Sequence, residues 1–104
     1  MRLCVVIPAY NAEDTVGDVV TGARKYIQDV IVIDDGSKDN TSAAAEAAGA
    51  VVIKQSENLG KGDALKTGFR YAIEKGNDAV ITIDADGQHY PDEMPKLIEK
   101  YEEG

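Results

Sequence analysis

Four short runs of apolar, largely β-branched residues, Leu3–Ile7, Val30–Ile33, Ala50–Ile53 and Val80–Ile83, recur along the chain with helical periodicity between them. That alternation limits the fold more than any other feature. Unbroken apolar runs lack the polar alternation of a half-exposed strand and suit parallel strands covered on both faces. Pro8 marks the exit of the first strand. Asn11 then offers a helix cap with Asp14 three residues on, and Val16, Val19, Val20, Ala23 and Ile27 share one face of a helix from about Ala12 to Tyr26. Asp39 to Ala48 is an alanine-rich helix stopped by Gly49. From Gly60 to Lys75, the residues Ala64, Leu65, Gly68, Phe69, Ala72 and Ile73 form an apolar stripe that Gly76 closes. A last helix is led by Pro91, with Asp92 and Glu93 in its first turn and Met94, Leu97, Ile98 and Tyr101 inside. Strands and helices in this order imply right-handed crossovers and an α/β fold: a mainly parallel sheet with helices on both faces, built from about four strands and four helices.

At 104 residues and 43% apolar content the chain fits one globular domain and not a disordered segment. The formal charge of −8 argues against nucleic acid or an anionic membrane surface as unassisted partners, since both need a positive field. An anionic ligand requires a bridging cation. Met1-Arg2 leads straight into the first strand, so no secretory signal is read, and no apolar run approaches the roughly 20 residues of a membrane span. Cys4, the single cysteine, lies inside the first strand and reads as a buried structural thiol. The chain thus reads as soluble, in a reducing, cytosolic setting.

In an open parallel sheet, ligands sit beyond the carboxyl ends of the strands, near the switch in strand order. Three polar loops meet that edge: Pro8 to Asn11, Asp34 to Ser37, and Asp84 to His89. Residues two apart in a strand point to one side, so Asp84 and Asp86 converge if extended geometry persists past Ile83. Converging carboxylates repel unless a cation neutralises them. Mg²⁺ or Mn²⁺ prefers such oxygens, and Gln88 offers a third. The other reading makes these acids solvated turn formers ahead of the last helix. Neither G-x-G-x-x-G nor G-x-x-x-x-G-K-[ST] occurs, so the dinucleotide and P-loop readings fail.

Taken together, Val5-Val6-Ile7-Pro8-Ala9-Tyr10-Asn11, Val32-Ile33-Asp34-Asp35-Gly36-Ser37-Lys38-Asp39-Asn40-Thr41, Asn58-Leu59-Gly60-Lys61-Gly62-Asp63-Ala64 and Asp84-Ala85-Asp86-Gly87-Gln88-His89 resemble glycosyltransferase family 2. The branch they resemble contains the dolichyl-phosphate mannose and glucose synthases. The resemblance implies a Rossmann-like GT-A sandwich, of which residues 1–104 form the N-terminal, nucleotide-sugar-binding part. Family domains continue for roughly as much chain again, so acceptor-side segments are expected to lie outside these residues. A sheet cut after its fourth strand is expected to self-associate.

Position by position, the resemblance places Pro8, Tyr10 and Asp35 at the nucleotide base and ribose, with Asp35 accepting a hydrogen bond from the base. Asp84 and Asp86 match the D-x-D motif, in which one acid approaches the ribose or the metal and the other binds the metal, and Gln88 matches a further metal ligand. Lys61 falls in the G-K-G segment and approaches the diphosphate, unless it is simply a solvated lysine at a helix start. His89 reads as ordering the metal loop or the acceptor side before it reads as a catalytic base. Where relatives show P-x-Y-N-E-E, this chain has Asn11-Ala12-Glu13, so the first acid is absent.

The implied reaction is inverting transfer of a hexose from a UDP- or GDP-linked donor, assisted by Mg²⁺ or Mn²⁺ acting on the departing diphosphate. A polyprenyl or dolichyl phosphate is the acceptor this branch implies, and its oxygen, already anionic, needs no dedicated base. The expected location is cytoplasmic, with the cytoplasmic face of a membrane as the variant for a lipid acceptor. Two other classes compete: a nucleotide- or partner-binding module without catalysis, or inactive for want of the acceptor half, and a sugar-1-phosphate nucleotidyltransferase. The latter lacks its glycine-rich basic loop after the first strand.

Overall fold

The computed structural model describes residues 2–85, and within them the four apolar runs become four parallel strands. β1 spans Leu3–Ala9, β2 Val30–Asp35, β3 Val51–Gln55 and β4 Ala79–Thr82. Three helices join them: α1 (Val16–Arg24), α2 (Thr41–Ala47) and α3 (Lys61–Glu74). The strand order is β3-β2-β1-β4, so the chain winds outward from β1 to β3 and then returns to the other side of β1. Each crossover keeps one hand, so reversing direction puts α3 on the opposite face from α1 and α2.

Strand alternation sorts the core accordingly. Val5, Ile7, Val30, Val32, Ile81 and Ile83 pack with Val16, Val19, Val20 and Ala23 of α1 and Ala45 of α2. Cys4, Val6, Ile31 and Ile33 turn to the other face, against Ala64 and Ala72 of α3. The buried Cys4 thiol has its pKa raised, first by burial and then by the Asp29 charge, as suits a structural cysteine. Gly68 brings α3 close to the sheet: a Cβ there would overlap Val6 and press on Ile33.

The sequence-based boundaries need four corrections. Pro8 does not end β1, which continues to Ala9 and pairs with β2 through Pro8↔Ile33 and Ala9↔Asp34. The reason lies in which neighbour each residue faces. The Val5 N–H donates to the Asp29 carbonyl on the β2 side, whereas the Val6 carbonyl accepts from Ile83 on the β4 side. Pro8, in phase with Val6, faces β4, where the ladder ends after the Ile83 N–H to Val6 bond, so its missing N–H falls on that side and leaves the pairing with β2 intact. Second, Asn11 is not the cap of α1; it takes φ 48°, and the helix starts only at Val16. Third, Asp34 and Asp35 lie within β2 instead of breaking it. Fourth, the apolar stripe of α3 is only partly inward: Ala64, Gly68 and Ala72 are buried, while Phe69 and Ile73 are exposed. The helix expected from Pro91 lies outside the described residues. Among the described residues no helix is long and apolar enough to cross a membrane.

Candidate functional site

The carboxyl ends of β1, β2 and β4 open into a cleft of about 470 Å³ at the point where strand order reverses. Pro8, Ala9 and Tyr10 line it from β1, Asp35 from β2, Asn58, Gly60, Lys61 and Ala64 from the start of α3, and Asp84 with Ala85 from the end of β4. Five residues that the sequence assigns to one site, Pro8, Tyr10, Asp35, Lys61 and Asp84, therefore line one cleft. Two others, Asp86 and Gln88, lie outside the described residues, as does His89.

Period-two geometry gives the paired aspartates of β2 different tasks. Asp34, fully buried, faces α2 and accepts from the Ser37 N–H at 2.8 Å and from the Ser42 hydroxyl. Asp35 faces α3, and its two carboxylate oxygens accept one bond each, from Leu59 N–H and Gly60 N–H, both at 2.9 Å. Each oxygen keeps further acceptor capacity toward the cleft. The loop before α3 comes close here because residue 36 is glycine: a Cβ on Gly36 would overlap the backbone of Glu57 and Asn58.

Lys61 then reaches across the cleft, its Nζ 2.6 Å from Asp84 Oδ1. Lys61 is thus ion-paired on the cleft while most of its side chain stays exposed. Asp84 projects where strand alternation puts it, toward α3, while Ala85 turns into the α1-side core and its carbonyl accepts from the Thr15 hydroxyl at 2.6 Å. Among the described residues no three His, Cys, Asp or Glu side chains come together as a metal shell. Asp84 nevertheless suits a hard cation: it is an oxygen donor on the cleft wall, partly exposed and paired with a displaceable ammonium.

Beneath the cleft, the β1–α1 and β2–α2 loops are stitched together, an arrangement the sequence reading missed. Asn11 N–H donates to Ser37 Oγ at 2.8 Å, and Asn11 Oδ1 accepts from Lys38 N–H at 3.0 Å. Ala12 N–H donates to Thr41 Oγ1 at 2.8 Å, Glu13 N–H to Asp39 at 3.2 Å, and Glu13 accepts in return from Asn40 N–H at 3.3 Å. Asp39 also accepts from the Thr41 hydroxyl and N–H, and these bonds hold its carboxyl below the ordinary carboxylate value. Glu13 thus ties the two loops together. The available signal was the density of Asn, Asp, Ser and Thr at both strand ends, residue types that bond to backbone amides.

The sequence matches the model of "Glycosyl transferase family 2" over residues 4–104. The chain belongs to glycosyltransferase family 2. This family 2 chain is 36% identical over 113 residues to the UDP-N-acetylglucosamine–dolichyl-phosphate N-acetylglucosaminyltransferase of Methanococcus voltae, covering 91% of itself and 45% of that protein. It is 35% identical over 106 residues to the undecaprenyl-phosphate mannosyltransferase of Micrococcus luteus, covering 95% of itself and 44% of that protein. Its fold resembles the UDP complex of glucosyl-3-phosphoglycerate synthase from Mycobacterium tuberculosis, with a TM-score of 0.81 and 30% identity, covering 99% of this chain and 40% of the other. Other structures of that synthase hold Mn²⁺ or Mg²⁺ with UDP. The parallel sheet with helices on both faces is thus the GT-A, Rossmann-like architecture. The chain spans less than half the length of these relatives.

Proposed function

We propose that residues 1–104 are the donor-binding part of a glycosyltransferase that moves a hexose from a nucleoside diphosphate sugar, UDP- or GDP-linked, to a polyprenyl phosphate. The observation that carries this reading is the convergence of Pro8, Tyr10, Asp35, Lys61 and Asp84 on one cleft at the switch point. Pro8 and the half-exposed Tyr10 ring offer a flat apolar wall for a base, with Asp35 beside it as a hydrogen-bond acceptor. Lys61 and Asp84 put both signs of charge at the other end, where a diphosphate and its counter-ion belong. Asp84, with Asp86 and Gln88 from the segment that follows, would hold Mg²⁺ or Mn²⁺, which supplies Lewis-acid stabilisation of charge on the departing diphosphate. The Mn²⁺ and Mg²⁺ complexes of the mycobacterial synthase support a metal of this kind.

The names of the archaeal and Micrococcus relatives support a lipid-phosphate acceptor, and with it a place at the cytoplasmic face of a membrane. Inverting, in-line attack by an already anionic phosphate oxygen requires positioning from the protein and no general base. Binding of the donor, without transfer, is the activity assigned to these 104 residues by themselves.

Calorimetric titration with UDP, GDP, UDP-glucose and GDP-mannose, with and without Mn²⁺, tests the reading. Metal-dependent binding of one nucleotide series, lost in Asp86→Ala, is expected. Metal-independent binding, or none to any of the four, overturns it.

A further inference from the structure

Asp35 enters the proposed function as a partner of the base, yet its contacts point to a second task at the opposite end of the cleft. Its side chain belongs to a residue only 4% exposed, and each oxygen already accepts a backbone N–H from the loop that leads into α3, Leu59 and Gly60 at 2.9 Å each. A carboxylate shared between two successive amides fixes the direction of the peptide between them, and one residue later the chain delivers Lys61.

Two observations independent of Asp35 mark the same loop as shaped for this path. Gly36 has no Cβ where one would overlap Glu57 and Asn58, so the loop rests directly on the turn after β2. Gly60 takes φ 100°, a conformation other residues rarely adopt, immediately before α3. The path ends at an ion pair with a defined partner, Lys61 Nζ to Asp84 Oδ1 at 2.6 Å. Lys61 is otherwise a long, mostly exposed side chain whose rotamer freedom opposes that contact, so the contact depends on where its backbone is set.

We propose that Asp35 is the positioning residue of the diphosphate end: by holding the Leu59 and Gly60 amides, its carboxylate sets the loop that delivers Lys61 to Asp84. One residue then ties the base end of the cleft to the phosphate end, and a donor's two halves are registered against each other by β2. The identity of that end as the diphosphate end rests on the proposed function; the positioning of Lys61 by Asp35 does not.

The experiment uses isotopically labelled 104-residue chain, first without ligand and then titrated with inorganic pyrophosphate and Mn²⁺, a probe that has no base. The variants are Asp35→Asn and Gly60→Ala. Asn keeps the shape of Asp but can accept only one of the two amides, its NH₂ meeting the other N–H. Ala at position 60 meets nothing within 4 Å and leaves the Asp35 carboxylate intact, so it disturbs the loop through φ alone. In Asp35→Asn the Leu59 and Gly60 amides are expected to exchange with solvent about tenfold faster. In both variants the nuclear Overhauser contact between the Lys61 ε-methylene and the Asp84 β-methylene is expected to fade. Pyrophosphate affinity is expected to fall about fivefold, a loss that a residue serving only the base would not cause. An unchanged Lys61–Asp84 contact in Asp35→Asn, despite loosened amides, overturns the proposal. A wild-type chain that binds neither pyrophosphate nor nucleotide overturns the donor-site reading, and the ligand-free contact still decides the positioning role.

Discussion

The seat of α3 on the sheet is a single glycine wide, and a double-mutant cycle at that point tests how the cleft is held. Gly68 faces β1 and β2, and a Cβ built on it overlaps Val6 Cγ1, with Val6 Cγ2 at 3.2 Å and Ile33 Cγ1 at 3.3 Å. Gly68→Ala gains up to about 1 kcal/mol of helix propensity but forces a methyl into a filled interior, an overpacking cost of roughly 1–3 kcal/mol. A net loss of up to about 2 kcal/mol is expected. Val6→Ala removes two methyl groups from a fully buried side chain, about 2–3 kcal/mol with its cavity term. In the double variant the new methyl occupies the space the old ones leave, so the helix gain is kept and the clash with Val6 is gone, leaving only the 3.3 Å approach to Ile33. Its cost should be about 1–2 kcal/mol, against roughly 2–5 for the sum, a coupling of about 1–3 kcal/mol. Urea denaturation of the four chains measures the cycle, with equal m-values as the check that unfolding remains two-state. Additivity within about 0.5 kcal/mol would refute the claim that these two positions share one space. Because α3 carries Lys61 at its first residue, Gly68→Ala should also weaken the Lys61–Asp84 contact, and Val6→Ala in the same chain should restore it.

Two further outcomes follow from the loops and the outer surface. Asp39 has its pKa lowered by the Thr41 hydroxyl and by backbone N–H groups, so its ties to Glu13 and Thr41 are complete above the ordinary carboxylate value and lost as pH falls through the lower folded value. The Glu13 and Thr41 amide resonances should shift with a midpoint below the usual aspartate value of about 3.9, and Asp39→Asn should abolish the step; a midpoint at or above that value contradicts the assignment. The 104-residue chain by itself is expected to self-associate, since Phe69 and Ile73 face outward at 38% and 70% exposure and β4 is the last strand on its side of the described sheet. Light scattering after size exclusion checks this, and a clean monomer at high concentration counts against it.

The strands and helices were legible because burial on both faces leaves a mark that periodicity detects: Val30–Ile33 and Leu3–Ile7 can be little else. Boundaries were less so, and for a specific reason. Pro8 and the Asp34–Asp35 pair are residue types that usually end strands, and each is tolerated because of the neighbour it faces, which a linear reading does not contain. Pro8 faces the β4 side, where the ladder ends, and would have cost a ladder bond in the continuing pairing on the β2 side. Asp34 and Asp35 persist in β2 because α2 and the loop before α3 supply donors on opposite faces.

The same distinction runs through the cleft. Family resemblance assigned Pro8, Tyr10, Asp35, Lys61, Asp84, Asp86 and Gln88 to one site; the first five line one cleft, and the last two lie outside the described residues. What resemblance could not separate is contact from support, because a motif records which residues occur together and not which of them face the ligand. In Asp34-Asp35-Gly36-Ser37, Asp34 holds Ser37 and Ser42, Gly36 makes room for another loop, and Ser37 holds Asn11, leaving Asp35 to face the cleft. Even Asp35 has both oxygens engaged, so any part it takes in the proposed donor site begins with the loop it already holds. A carboxylate fixed on its protein side presents its remaining lone pairs in a set direction, and in the proposed donor site that preorganisation, more than the presence of a charge, would discriminate one base edge from another.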